Sequence, residues 1–187
     1  PTPAVTNNPS GQAICSGFAT TAVLWTSGVV GTTYAWTAVG SSGSVVGFTT
    51  SGTGNLPILT GITNSSNINQ TITYSVTPTA LGCSGPVFQY VITVKPIPAL
   101  TLSPNQTVCG GIPTSITNFS NTVAAGSYSW VLSNPGAVPA TITGYQTNGS
   151  GQIPVTTIGN SGTSPYTLSY QVTPTASGCN GIPQTYT

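Results

Sequence analysis

Charge is what this sequence lacks most. Its 187 residues include one lysine, Lys95, and no Arg, Asp, Glu or His, where an ordinary globular chain of that length carries roughly 45 charged side chains. General acid–base catalysis near neutral pH draws mainly on His, Asp, Glu or Lys, so no reaction is assignable and the chain is not expected to be an enzyme. There are no carboxylates to cage Ca²⁺ or Mg²⁺, and no cofactor is expected. Nucleic acid and anionic membrane surfaces are disfavoured as partners, because each phosphate contact needs a cation. Long apolar runs are missing as well. The short ones are broken by Thr, Ser, Gly and Pro, far below the roughly 20 residues of a membrane-spanning helix. Met is absent, and no amphipathic helical period is visible. The opening residues, Pro1 to Thr6, carry neither a charged nor an apolar leader region. They read as a chain whose leader has been removed or as the interior of a longer protein.

What is present is the composition of strands and turns. Hydrophobic residues make up 37% of the chain, enough to argue against disorder, and they alternate with Thr and Ser between 23 Gly and 16 Pro. An internal repeat organises them. Thr73-Tyr-Ser-Val-Thr-Pro-Thr-Ala-Leu-Gly-Cys83-Ser-Gly returns as Ser169-Tyr-Gln-Val-Thr-Pro-Thr-Ala-Ser-Gly-Cys179-Asn-Gly, 96 residues later. Gln12-Ala-Ile-Cys15 matches Gln106-Thr-Val-Cys109, and Tyr34-Ala-Trp36 matches Tyr128-Ser-Trp130, both at 94. Two domains of similar length follow, 1–96 and 97–187, joined at Pro96-Ile97-Pro98, where proline favours an extended, semi-rigid path. Pro1-Thr2-Pro3 occupies the matching place ahead of the first copy, which suggests a further repeat upstream. The first copy ends in a clear strand, Phe88 to Lys95, whereas the second stops at Thr187 with that strand incomplete.

Ile72, Tyr74 and Val76 alternate with Thr and Ser, as do Leu168, Tyr170 and Val172 and, in the final strand, Phe88, Tyr90, Ile92 and Val94. A period of two marks strands with one buried face. About seven such strands per copy predict an all-β fold of two tandem immunoglobulin-like β-sandwiches; a closed barrel is the structural alternative. The cysteines Cys15, Cys83, Cys109 and Cys179 lie too far apart in sequence for a zinc knuckle or a redox CxxC. They are expected to form two disulfides in an oxidising, extracellular setting. Of the three connectivities, Cys15–Cys83 with Cys109–Cys179 is favoured, each closing a long loop worth about 4 kcal/mol in the chain-entropy model.

The string Tyr-x-Val-Thr-Pro-Thr-Ala-x-Gly-Cys-x-Gly, followed in the first copy by a Val-x-Val-Lys-Pro-x-Pro strand end, resembles the PKD-like, immunoglobulin-type repeats of very large surface adhesins of gliding and biofilm-forming Bacteroidetes. The resemblance covers both copies. It implies a secreted multi-repeat protein, exported by the type IX route, that forms filaments or adhesive layers, and it supplies no catalytic residues. The absence of acidic residues argues against stiffening by Ca²⁺.

Trp25, Trp36 and Trp130 are candidates for a sugar-stacking platform. Trp36 and Trp130 hold equivalent places on a central strand and are expected in the core. Trp25 has no aromatic counterpart in the second copy, so it and the loop residue Tyr145 are the possible ligand-contact aromatics. Asn64, Asn69, Asn105, Asn118 and Asn148 begin Asn-x-Ser/Thr sequons. The glycines near the cysteines read as turns, since neither a helix nor a lysine follows to make a phosphate site. Lys95 reads as a solvated edge charge.

The expected function is that of a structural repeat unit of an extracellular filament or long cell-surface adhesin, its partners being copies of itself or neighbouring repeats, joined by strand addition. Neutral surfaces lack the repulsion that keeps most proteins apart. The alternative is a carbohydrate- or surface-binding module. Almost nothing titrates between about pH 2 and 9, because tyrosine ionises only near 10, so folding is expected to ignore pH over that range.

Overall fold

The alternation of apolar and hydroxyl side chains from Gln70 to Ala80 produces the longest strand of the molecule, with every second residue buried. Around it, a computed structural model describing residues 1–187 folds into two compact units, Pro1–Pro96 and Ile97–Thr187. Both are all-β; the single helical element is a 3-10 turn at Pro135–Ala137. No helix is long and apolar enough to cross a membrane.

The first unit contains β1 (Gln12–Cys15), β2 (Thr33–Gly40), β3 (Val45–Val46), β4 (Ser51–Thr53), β5 (Thr63–Asn64), β6 (Gln70–Ala80), β7 (Cys83–Ser84) and β8 (Phe88–Lys95). Its main sheet runs β1-β8-β6-β2-β4, with β7 also paired to β6. All pairings are antiparallel except β1 on β8, where Gln12 faces Ile92 and Cys15 faces Lys95. One face of this sheet packs on a second layer made by the β3–β5 ladder and the Val23–Leu56 bridge. Between the layers lies the core: Ile72, Tyr74 and Val76 of β6, Ile92 and Val94 of β8 and Trp36 of β2, against Val23, Leu56 and Ile62. That arrangement is a sandwich, with no closed barrel.

The second unit repeats the plan with β9 (Leu100–Thr101), β10 (Ser120–Asn121), β11 (Ser127–Leu132), β12 (Ile142–Thr143), β13 (Asn148–Ser150), β14 (Gly159–Asn160), β15 (Tyr170–Ala176), β16 (Cys179–Asn180) and β17 (Gln184–Tyr186). Its main sheet runs β13-β11-β15-β16, with β17 also on β15. Registers are shared: Trp36 faces Val76 as Trp130 faces Val172, and Tyr34 faces Pro78 as Tyr128 faces Pro174. Each tryptophan lies under a glycine of the neighbouring strand, and a Cβ on Gly52 or Gly149 would run into the indole ring. Each also meets a tyrosine edge-on, Trp36 with Tyr74 at 5.5 Å and Trp130 with Tyr170 at 5.7 Å.

The Thr-Pro-Thr-Ala-x-Gly-Cys string now has a conformation. Ala80 faces Cys83 across a two-residue turn in which Leu81 and Gly82 both have positive φ, 51° and 74°. Ala176 faces Cys179 across Ser177 and Gly178 in the same way, at 53° and 80°. Two consecutive left-handed residues match the right-handed twist of a tight hairpin, so the motif is a strand that turns sharply and presents its cysteine at one end of the sheet.

Candidate functional site

Each repeat has two distinct ends. Chain comes in at one of them: the Pro3 carbonyl lies so close over Gly85 that a Cβ there would overlap it, and Pro98 covers Gly181 in the same manner. This proximal end carries the hairpin turn and the late cysteine, Cys83 or Cys179. At the other end, β8 of the first repeat finishes at Lys95 beside Cys15. A polar network closes that distal end. Asn64 donates through Nδ2 to the carbonyls of Val94 and Ile68, both at 2.8 Å, and its Oδ1 accepts from the Ser66 hydroxyl at 2.7 Å. Ser41 donates to Gln70 Oε1 at 2.6 Å. Buried polar atoms that are all partnered hold loops in one arrangement. They also take Asn64 out of consideration as a glycan acceptor in the folded protein, since its amide is buried and engaged.

This polarity overturns the expected disulfide pairing. Cys15 is level with Lys95, Val94 is opposite Gln70, and Cys83 is opposite Ala80. The two cysteines therefore sit at opposite ends of β6, about 33 Å apart at 3.3 Å per residue, whereas a disulfide holds its Cα atoms within about 7 Å. In the second repeat, Gln106 bonds to Thr187 beyond Tyr186, and Tyr186 faces Tyr170 at the far end of β15 from Cys179. Neither Cys15–Cys83 nor Cys109–Cys179 forms. Cys15 and Cys179 are disulfide-bonded, while Cys83 and Cys109 are free and exposed.

Trp25 is likewise corrected. It is buried in the core of the first repeat, edge-on to Tyr90 at 5.5 Å and Phe88 at 6.1 Å, and offers no face to a sugar. Tyr145 is half-buried against the core of the second repeat. The two lie in different units.

A feature absent from the sequence reading is a groove in the second repeat, of about 470 Å³, whose lining includes Gln106, Ile142, Ile153, Ile158, Asn160 and Leu168. Asn160 donates to the Ser164 carbonyl at 3.0 Å and accepts from Gly162 N–H at 2.9 Å, as Asn64 does with Ile68 and Ser66 in the first repeat. No group of His, Cys, Asp or Glu is placed to hold a metal ion.

Comparison with curated protein sequences gives no match. Among solved structures the chain is similar to the Dpr2 Ig1–Ig2 complex with DIP-Theta Ig1–Ig3, at 11% identity and a TM-score of 0.37, over 98% of this chain and 63% of that one. It is also similar to the human Desmocollin-1 ectodomain, at 11% identity and a TM-score of 0.32, over 98% of this chain and 35% of that one. Likenesses at this level carry no functional argument. The family comparison is stronger: the PKD-like domain matches twice, over residues 12–98 and 106–187. With two tandem matches spanning nearly all of its length, the chain belongs to the PKD-like domain family.

Proposed function

We propose that this chain is a structural repeat pair of an extracellular filament or long cell-surface adhesin, acting through mechanical reach and self-association by strand addition. The tandem of two PKD-like repeats carries this reading, and β4 and β13, which end the main sheets of the two units, are edges at which a further strand can pair. Strand addition at an open edge draws affinity from main-chain hydrogen bonds and specificity from pockets for alternate side chains. A near-neutral surface places no electrostatic barrier in the way of such docking. The disulfide-bonded Cys15 and Cys179 fit an oxidising compartment, and the adhesin repeats that the Thr-Pro-Thr-Ala-x-Gly-Cys string resembles provide the setting of a bacterial surface exported by the type IX route.

The test follows the purified chain by sedimentation velocity and electron microscopy over a range of concentrations. Concentration-dependent assembly or fibres are expected. A protein that stays monodisperse and fibre-free at high concentration overturns the reading.

A further inference from the structure

The outer face of the first repeat's main sheet carries an inference of its own. The residues of β6 that alternate with its buried set are Thr71, Thr73, Ser75, Thr77 and Thr79, five hydroxyl side chains in succession. Register extends them sideways: Thr37 and Gln89 flank Ser75, Val39 and Val91 flank Thr73, and Thr93 faces Thr71. On β2 and β8 the outward Thr37, Val39, Gln89 and Val91 are exposed. No aromatic ring projects from these rows, and the one charged side chain of the protein, Lys95, stands at their corner, at the end of β8. The hydroxyls differ in their engagement. Ser75 Oγ accepts from Gln89 Nε2 at 3.1 Å, and Thr33 donates to the Thr79 carbonyl at 3.2 Å. The hydroxyls of Thr37, Thr73, Thr77 and Thr93 make no hydrogen bond within the protein and are left to water.

Such a face excludes most ligands by its chemistry. Without an aromatic ring it gives a sugar nothing to stack on, and with a single cation at its corner it gives an anion almost no purchase. What it presents is a lattice of methyl and hydroxyl groups. A strand repeats one face every two residues, about 6.7 Å, and neighbouring strands lie about 4.8 Å apart; both spacings are close to oxygen repeats on the prism faces of hexagonal ice. Threonine suits that partner, because branching at Cβ restricts χ1. Each hydroxyl and methyl is held in place before contact, and little side-chain entropy is lost on binding. We propose that the outer face of β2, β6 and β8 binds ice, ordering the water over its threonines into a layer that merges with the crystal. Adjacent strands rotate by roughly 20–25°, so the match extends across these three strands and no further. Adsorption over so small an area slows the regrowth of ice crystals without a large depression of the freezing point. The second repeat lacks the array: Gln171 stands where the first has Ser75, Val131 where it has Thr37, and the Thr175 hydroxyl donates to Asn180 Oδ1 at 2.9 Å.

This goes beyond the self-association reading and fails separately from it, since assembly is followed in unfrozen solution. The experiment measures ice recrystallisation in frozen sucrose films containing the whole chain, against an equal mass of serum albumin, for wild type, T37K, T73K and S129K. T37K and T73K place an ammonium group within the array, whereas S129K adds the same charge at an exposed position on β11 of the second repeat. Wild type and S129K are expected to keep the crystals small. T37K and T73K should need about a tenfold higher concentration for the same effect, because a charge stripped of its hydration has no place at an ice surface. Melting followed by circular dichroism checks that each variant keeps the fold, and T37K, at a fully exposed position, reads the question by itself should T73K not fold. Wild-type films that coarsen as fast as albumin, T37K as active as wild type, or S129K losing as much as T37K would overturn the proposal. Retention on crystalline cellulose with no effect on ice would overturn it too, and would give the face to a neutral polysaccharide instead.

Discussion

Tyr74 lies fully buried in the first repeat, and its hydroxyl meets no hydrogen-bond partner. Desolvation pushes its pKa up to about 12 from the usual 10. Because the folded value is the higher one, the stability contribution is complete below pH 10 and is lost as pH climbs from about 10 to 12, where the unfolded chain ionises and the folded chain does not. At 1.36 kcal/mol per unit the loss from this residue is roughly 2–3 kcal/mol. Tyr74→Phe is expected to move the alkaline unfolding midpoint to higher pH, read by circular dichroism; an unchanged midpoint would mean another tyrosine governs it. Burial also raises Tyr170, helped by the nearby Tyr145 and opposed by a backbone hydrogen bond at Gln146. The glycines under the tryptophans make a second residue-scale prediction. Gly52→Ala or Gly149→Ala places a methyl group into the indole of Trp36 or Trp130, and overpacking of this kind costs roughly 1–3 kcal/mol. Each substitution should lower the urea midpoint of its own repeat, followed by tryptophan fluorescence.

At the scale of elements, the hairpin between β6 and β7 depends on two left-handed residues. Leu81 is 85% exposed, so its side chain contributes little packing, while its φ of 51° is one that asparagine adopts more easily than leucine. Leu81→Asn is expected to stabilise the first repeat by up to about 1 kcal/mol, and Gly82→Ala to destabilise it by roughly 1–2 kcal/mol. Opposite shifts in melting temperature would check both; shifts of the same sign would show that the turn does not set the register. The strands themselves were legible from sequence because a period of two is a local property: Ile72, Tyr74 and Val76, read as one buried face, are all fully buried. Phe88–Lys95 was legible for the same reason. Short elements such as β3, β5, β12 and β14, two residues each, leave no periodic trace and exist only because a partner segment lies beside them.

For the whole molecule the shortage of charge sets the response to solution conditions. With no Asp, Glu or His side chain, no buried carboxylate or imidazole can drive acid unfolding, and screening by salt has almost nothing to act on. The melting temperature is expected to stay level within a few degrees between about pH 3 and 8, and from low to moderate NaCl concentration. Differential scanning calorimetry would check this, and a cooperative transition near pH 4 would contradict it. In the proposed reading, the same neutrality leaves self-association to shape and strand edges rather than to charge.

The amino-acid sequence alone determined that the chain is all-β, that it is built as two sandwiches of one kind, and that Trp36 and Trp130 are core residues, since repeat spacing and alternation are written along the chain. It could not determine the fate of Trp25, because the residues that cover it, Phe88 and Tyr90, are more than sixty positions away and reach it only through the packing of two layers. Nor could it determine the cysteine partners. Cysteine spacing is one-dimensional, whereas pairing depends on which end of an eleven-residue strand each sulfur occupies, and only the β1–β8 and β6–β7 registers place Cys15 and Cys83 at opposite ends.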